Sequence, residues 1–267
     1  MATIRTKRAI KTPTYFGRVH ETRAGLLGAT LTNHRVVNLN WHGIGPPPRP
    51  LAPGEDRIWV SLDHFEQILD SVAGRPELRI TFDDGNASDV DLALPRLVER
   101  NLTAQFFVLA GELDQPGRLA SSAVRELVAA GMSIGSHGWR HRDWRRIRPS
   151  EVPDEMDRAP KVLADITGRP VDRVAIPFGS YDRRVIARLR RRPVAHAYTS
   201  DGGRADHDDW LQARTSIRWD TTPADVEPLF THRPSLTSRV GRSTIIWLKQ
   251  NRPGYGSHRN RVTTSPI

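Results

Sequence analysis

Hydrophobic spacing switches between two periods along this chain, and the switches mark its elements. Residues 34–45, HRVVNLNWHGIG, read as a buried strand that runs into a Gly/Pro-rich loop at 43–55. At 61–74 the period becomes helical: Leu62, Phe65, Ile68, Leu69 and Val72 recur behind Ser61, whose hydroxyl suits a helix cap. A strand follows at 78–82, then a predicted helix at 88–100 with Ser88 as its cap and Pro95 as an internal kink. Strands at 103–110, 132–137, 172–179 and 194–201 then alternate with helices at 121–131, 149–168 and 182–192. Such alternation implies a mostly parallel sheet with helices outside it, open or closed into a barrel. The pattern weakens after residue 231, leaving one possible helix at 239–252 and a loose basic tail. The expected organisation is a basic N-terminal arm at 1–30, a central domain at 31–232 and a basic, partly helical extension at 233–267.

Composition narrows the function classes. With 267 residues the chain is long enough to bury a substantial core. It has no cysteine, which removes disulfides, thiolate nucleophiles and thiolate metal sites, and suits a reducing compartment. The 40 Lys and Arg residues outnumber the 30 Asp and Glu residues, for a net charge of +10. Arginine clusters at 144–148 and 182–193 read as solvated helix faces, and no nucleic-acid-binding motif accompanies them. Neither a signal-peptide apolar core nor a membrane-length run is visible, so a cytoplasmic protein without stable membrane insertion is expected.

Three segments place polar side chains at the C-terminal ends of predicted strands: TFDDG (81–85), SHGWRHRDW (136–144) and PFGSYD (177–182). In parallel α/β folds that edge binds ligands. His137 and His141 are spaced i, i+4, which on a helical turn presents both imidazoles to one ion. Two histidines and a carboxylate leave coordination positions open for water and substrate. Asp83 and Asp84, adjacent at a strand end, repel each other unless a cation sits nearby. One of the two would bind the ion and the other take a proton. Each motif alone is a weak signal; their joint placement at strand ends is what carries weight.

TFDDG, SHGWRH and PFGSYD in this order resemble the successive motifs of the polysaccharide deacetylase (NodB-homology) family, over roughly residues 34–215. The resemblance implies a distorted (β/α) barrel of seven strands and metal-dependent hydrolysis of an N- or O-acetyl group on a sugar. It implies Asp83 as general base and Asp84, His137 and His141 as ligands of one divalent ion. Zinc suits that ligand set first, with cobalt, nickel, manganese or iron also able to bind. The ion would act as Lewis acid on the acyl carbonyl and activate water. The backbone amide of Phe178, after Pro177, would hold the developing oxyanion. The sequence departs from the family pattern twice. Ala175 stands where an arginine often tethers the base, with Arg214 in a neighbouring strand-like run as the candidate replacement. No Leu-x-His motif supplies a general acid, leaving His196, His207 and His232 as candidates.

His42, Trp139, Pro177, Tyr181, Asp201 and Arg214 are expected around the substrate, and Asp143 beside a ligand histidine. Trp139 and Trp144 have packing as the alternative to stacking on a sugar. The expected partner is an acetylated carbohydrate; the sequence does not fix the oligomeric state. The rivals are hydrolysis of a non-sugar amide or cyclic imide on the same fold, and an inactive glycan-binding relative.

Overall fold

The computed structural model describes residues 35–231 and Lys249. The expected arm at 1–30 and the extension at 233–267, Lys249 aside, lie outside the described residues. In β1, Arg35–Trp41, a residue turned outward is followed by one turned inward. Val37, Leu39 and Trp41 enter the main apolar core, while Asn38 and Asn40 hydrogen-bond to residues 81–83 and 212–214. A strand polar on one side and apolar on the other suits a barrel with a hydrogen-bonded interior and a coat of helices.

The remaining strands are β2 (Gly43–Ile44), β3 (Trp59–Val60), β4 (Leu78–Phe82), β5 (Ala104–Val108) and β6 (Ser133–Ser136), then β7 (Arg173–Ala175), β8 (His196–Thr199), β9 (Ala205–Asp206) and β10 (Leu211–Ser216). Seven of them form a parallel ring in the order β1-β4-β5-β6-β7-β8-β10. The ring closes where β10 pairs with β1, Asn38 opposite Arg214. β9 adds antiparallel to β1, and β2 and β3 make a separate two-stranded sheet. The fold is a distorted (β/α) barrel of seven strands, as the resemblance implied; the hydrophobic pattern alone left the parallel sheet open or closed.

Helices α1 (Leu62–Val72), α2 (Leu94–Glu99), α3 (Ser121–Ala129), α4 (Ala159–Thr167), α5 (Arg183–Arg190) and α6 (Pro223–Thr231) surround it. Ser61 caps α1 by accepting from the His64 amide at 3.1 Å, and Phe65, Ile68, Leu69 and Val72 form its buried face. Trp41, Phe82 and Phe106 stack in sequence between barrel and helices, at centroid separations of 5.9 and 4.7 Å. Each buried ring contributes roughly 1.5–3 kcal/mol relative to exposure. A second cluster around Trp144, Ile176 and Leu189 seals the opposite flank.

Two helices differ from expectation for one reason. Residues 88–100 begin with a π-helical stretch, Asp89–Ala93, and only then become α2, with Pro95 in the first turn. Proline has no N–H to donate, so the preceding turn widens and Pro95 falls where the missing donor costs least. Ser88 does not cap this helix; its hydroxyl accepts from the Ile44 amide at 3.2 Å. Residues 149–168 behave likewise, with a π-helical stretch at Asp154–Arg158 ahead of Pro160 in α4, which ends on left-handed Gly168.

Candidate active site

At the C-terminal end of β4 the chain turns sharply. Asp84 and Gly85 both adopt the left-handed region, at φ 75° and 66°. An aspartate tolerates that conformation better than most residues, and held strain of this kind clusters at functional sites. The turn aims the two neighbouring carboxylates in different directions.

Asp83 points into the barrel. Arg214, fully buried on β10, grips it through both guanidinium ends, Nη1 to Oδ1 at 2.6 Å and Nη2 to Oδ2 at 2.7 Å. Asn40 adds a bond from Nδ2 to Oδ2 at 3.1 Å, and its own Oδ1 accepts from Arg214 and Thr81. Burial alone would raise the Asp83 carboxyl, but the guanidinium and the nearby His137 outweigh it and hold it well below the usual carboxylate range. The tether missing at Ala175 therefore comes from two strands away. Arg214 sits beneath Asp83 and is 1% exposed, so the expectation that it borders substrate is corrected: it can touch only the acid and the barrel interior.

Asp84 points the other way. Its Oδ1 is buried without a hydrogen-bond partner and lies 3.5 Å from His137 Nε2 and 3.6 Å from His141 Nε2. The facing atoms of these three side chains all fall within 4.8 Å of one another. Ligands at about 2.1 Å around a tetrahedral ion stand roughly 3.4 Å apart, so the cluster has the size and the donor types for one divalent cation. An orphaned buried carboxylate oxygen facing two imidazole nitrogens is the feature such an ion would satisfy. His137 Nδ1 bonds to the Ala175 carbonyl at 2.9 Å, which fixes its tautomer and turns Nε2 toward Asp84. Burial above all, with the charge of His141 adding to it, brings the His137 pKa down to about 4 despite the neighbouring aspartates. Further on, burial and then the charge of Asp84 push the enclosed Asp89 carboxyl well up.

The two histidines do not share a helical turn, which corrects the sequence expectation. His137 follows β6 directly, and a loop carries the chain round to His141, through Gly138 at φ 90° and His141 itself at φ 49°. Buried Glu155 holds that loop by accepting from the Trp139 amide at 2.9 Å, the Arg140 amide at 3.1 Å and Trp144 Nε1 at 3.2 Å. A Cβ at position 138 would meet the Glu155 carboxylate, so only glycine passes there.

Several expected neighbours of substrate are instead structural. Arg158 covers the Trp139 ring at 4.1 Å and Gly111 packs beneath it, so the ring is already occupied. Trp144 is wholly buried. Asp143 pairs with Arg145 at 3.0 Å and not with a ligand histidine. Pro177 is buried. Tyr181 is buried too, donating from its hydroxyl to Asp201 at 2.7 Å. Asp201 also accepts from Thr199 at 2.8 Å and from Lys249 Nζ at 2.5 Å. These groups shape the rim from below.

Two expected residues do face the opening. His42 Nε2 stands 3.8 Å from Asp83, and Phe178, 64% exposed, lays its ring 4.1 Å from that of His141. Phe178 has φ 59°, and its amide has no acceptor among the described residues. His196 and His207 lie on the wall of a cavity at the other end of the barrel, which removes them as general acids; His232 lies outside the described residues. Sequence reasoning missed Asn40, Glu155 and Lys249. Only Asn40 carried a signal, as a polar side chain inside an apolar run.

Comparison with known proteins agrees with the fold. The polysaccharide deacetylase family profile matches residues 71–196. The peptidoglycan-N-acetylglucosamine deacetylase PgdA of Listeria monocytogenes is 30% identical over 109 residues, 40% of this chain and 22% of the relative. Chitin deacetylase 1 of Cryptococcus neoformans is 27% identical over 138 residues, 49% of this chain and 28% of the relative. The chain spans half or less of the length of these curated relatives. Among solved structures, the Streptococcus pyogenes deacetylase PplD, in complex with acetate, superposes with a TM-score of 0.64 at 20% identity, over 74% of this chain and 99% of that one. A polysaccharide deacetylase from Bacillus cereus gives 0.63 at 23% identity, over 74% and 69%. At such identities the superpositions carry the fold, and the profile match makes residues 71–196 similar to the polysaccharide deacetylase family.

Proposed function

We propose that this protein is a metal-dependent deacetylase that removes an acetyl group from an N- or O-acetylated sugar or glycan. One observation carries the reading: a carboxylate locked in ionised form by Arg214 lies next to a second carboxylate that shares a cluster with two histidines. Asp84, His137 and His141 would hold the ion, with zinc the first candidate. When bound, it supplies a Lewis acid for the acyl oxygen and makes the attacking water acidic enough for a base as weak as Asp83.

The chain's own groups do the rest. Asp83 accepts the proton of the attacking water while Arg214 and Asn40 fix the direction of its carboxylate. The Phe178 amide donates to the oxygen on which negative charge develops. His42, the imidazole next to Asp83 outside the ligand set, is within reach of the same region. The exposed ring of Phe178 offers an apolar surface to a sugar face.

The test has two readouts. Metal analysis should find about one divalent ion per wild-type chain and far less in the His137→Ala, His141→Ala double variant. Acetate release from acetylated sugars, glycan oligomers and simple amides should require the ion and be absent in the double variant. Equal metal content in the two proteins overturns the ligand assignment. Saturable glycan binding with no metal-dependent hydrolysis across the panel overturns the catalytic reading in favour of a binding protein.

A further inference from the structure

The barrel interior has a second chamber that the site above does not use. A cavity of about 240 Å³ opens among the first residues of the strands, at the end opposite Asp83 and Asp84. A layer of Phe107, Tyr198 and Arg214 separates the two ends, with the tilted Phe107 and Tyr198 rings 4.8 Å apart and the Arg214 guanidinium 5.2 Å from the Phe107 ring.

Its wall is cationic and rich in donors. Arg79 and Arg173 face it, together with Gln105, Tyr198, His196 and His207, and no aspartate or glutamate lines it. Among the described residues neither arginine has a carboxylate partner. Arg79 gives Nη1 to the carbonyls of Pro76 and Leu78, at 3.0 and 2.8 Å, and Arg173 gives Nη1 to Gln105 Oε1 at 3.1 Å. Their second terminal nitrogens remain for a ligand. Gln105 is 8% exposed, and its Nε2 is buried with no acceptor, as is Nε of Arg173. His196 Nδ1 is taken by the Asp209 carbonyl at 3.2 Å, which leaves Nε2 for another partner.

Water satisfies donors but does not offset the half-buried Arg173 guanidinium, whose Nε is orphaned beside the buried Gln105 amide, while the exposed Arg79 adds a second positive charge at the open mouth. An oxyanion does both, because it presents acceptors in several directions and pairs with guanidinium groups in a fork geometry. The volume equals roughly eight water shares of ~30 Å³ each, room for a phosphate and an attached group of about sugar size. We propose that this chamber binds a phosphate group, either free phosphate or the phosphate of a small phosphomonoester. The site is independent of the chemistry at the other end of the barrel.

Calorimetric titration of the full chain, at constant ionic strength in chloride, tests this with inorganic phosphate and with a hexose 6-phosphate. Saturable binding of either at one site per chain is the expected result; tighter binding of the hexose phosphate identifies the monoester as the source, and equal affinity identifies free phosphate. Arg173→Gln and Gln105→Glu should each weaken binding at least about tenfold, and Asp84→Asn should leave it unchanged. Gln105→Glu keeps the side-chain size and gives Arg173 a carboxylate, so its thermal midpoint without phosphate should equal or exceed that of wild type, which shows it to be folded. Failure of wild type to bind either probe overturns the proposal. So does unchanged affinity in Gln105→Glu, or loss of binding in Asp84→Asn with retention in Arg173→Gln, which would move the anion to the other end.

Discussion

Asp83 and Arg214 show how much one ion pair must do when both partners are out of water. A bidentate pair with a third bond from Asn40 satisfies the carboxylate almost completely, so its charge is fixed but its basicity is low. Removing one partner leaves the other charged and buried, which typically costs ~3–5 kcal/mol. Arg214→Gln is therefore expected to lower the thermal midpoint sharply and to raise the pH at which activity falls off on the acid side, because Asp83 then protonates more easily. Asp83→Asn should keep its metal and lose turnover by about 10²–10⁴-fold, the usual contribution of a general base. Combining the two should destabilise by less than the sum of the singles, since the charge left stranded in each is absent from the pair. Strict additivity in such a cycle would show that the two side chains do not work as a unit. Arg214 was legible in the sequence as a cation in a strand-like run, yet its burial was not, because only ring closure between β10 and β1 brings it under Asp83.

At the scale of elements, the strands and the motifs at their ends were readable because period and turn chemistry are local. What escaped reading depends on contacts far apart in the chain. HxxxH looked like a helical pair, but the loop between His137 and His141 takes its shape from Glu155, fourteen residues after the second histidine, and no local pattern encodes that reach. The π-helical stretch ahead of Pro95 was legible only as a kink and the one ahead of Pro160 not at all, since spacing alone does not tell a widened turn from a bent or regular one. The Glu155 contacts give a prediction. Glu155→Ala strips the acceptor from two backbone amides and one indole, at roughly 1–3 kcal/mol for each buried donor left unpaired. The loop carrying His141 should loosen, and metal affinity should fall by about 10–100-fold, as for other groups that orient ligands. Unchanged affinity by competition with a chelator would show that His141 does not depend on that brace. Glu155→Gln, which keeps one acceptor oxygen, should lie in between.

The described residues form a barrel with charged groups gathered inside it, and the stability of that barrel must therefore respond to pH. His137 is the clearest case, with its pKa lowered from 6.5 to about 4. The unfolded chain binds this proton more readily than the folded one across that interval, so acidification favours unfolding. The stability held by neutral His137 is complete above pH 6.5 and is lost as pH falls toward 4. His42 is lowered too, again mainly by burial, and adds to the same slope. Asp83 acts in the same direction further down: its carboxyl is depressed, so its contribution is present above the ordinary carboxylate value of 3.8 and disappears only below it. The net charge of +10 grows as carboxylates protonate and adds repulsion at the acid end. Thermal midpoints of metal-free protein are expected to be nearly level above pH 7, to decline between 6.5 and 4, and to drop again below that. His137→Gln, whose amide can still donate to the Ala175 carbonyl, should flatten the first decline while leaving the second in place. A saturating divalent ion should push the first decline to lower pH, because ion and proton compete for the same imidazole nitrogens. A midpoint that rises on acidification from 6.5, or a decline as steep in His137→Gln as in wild type, would remove the buried imidazole as its cause.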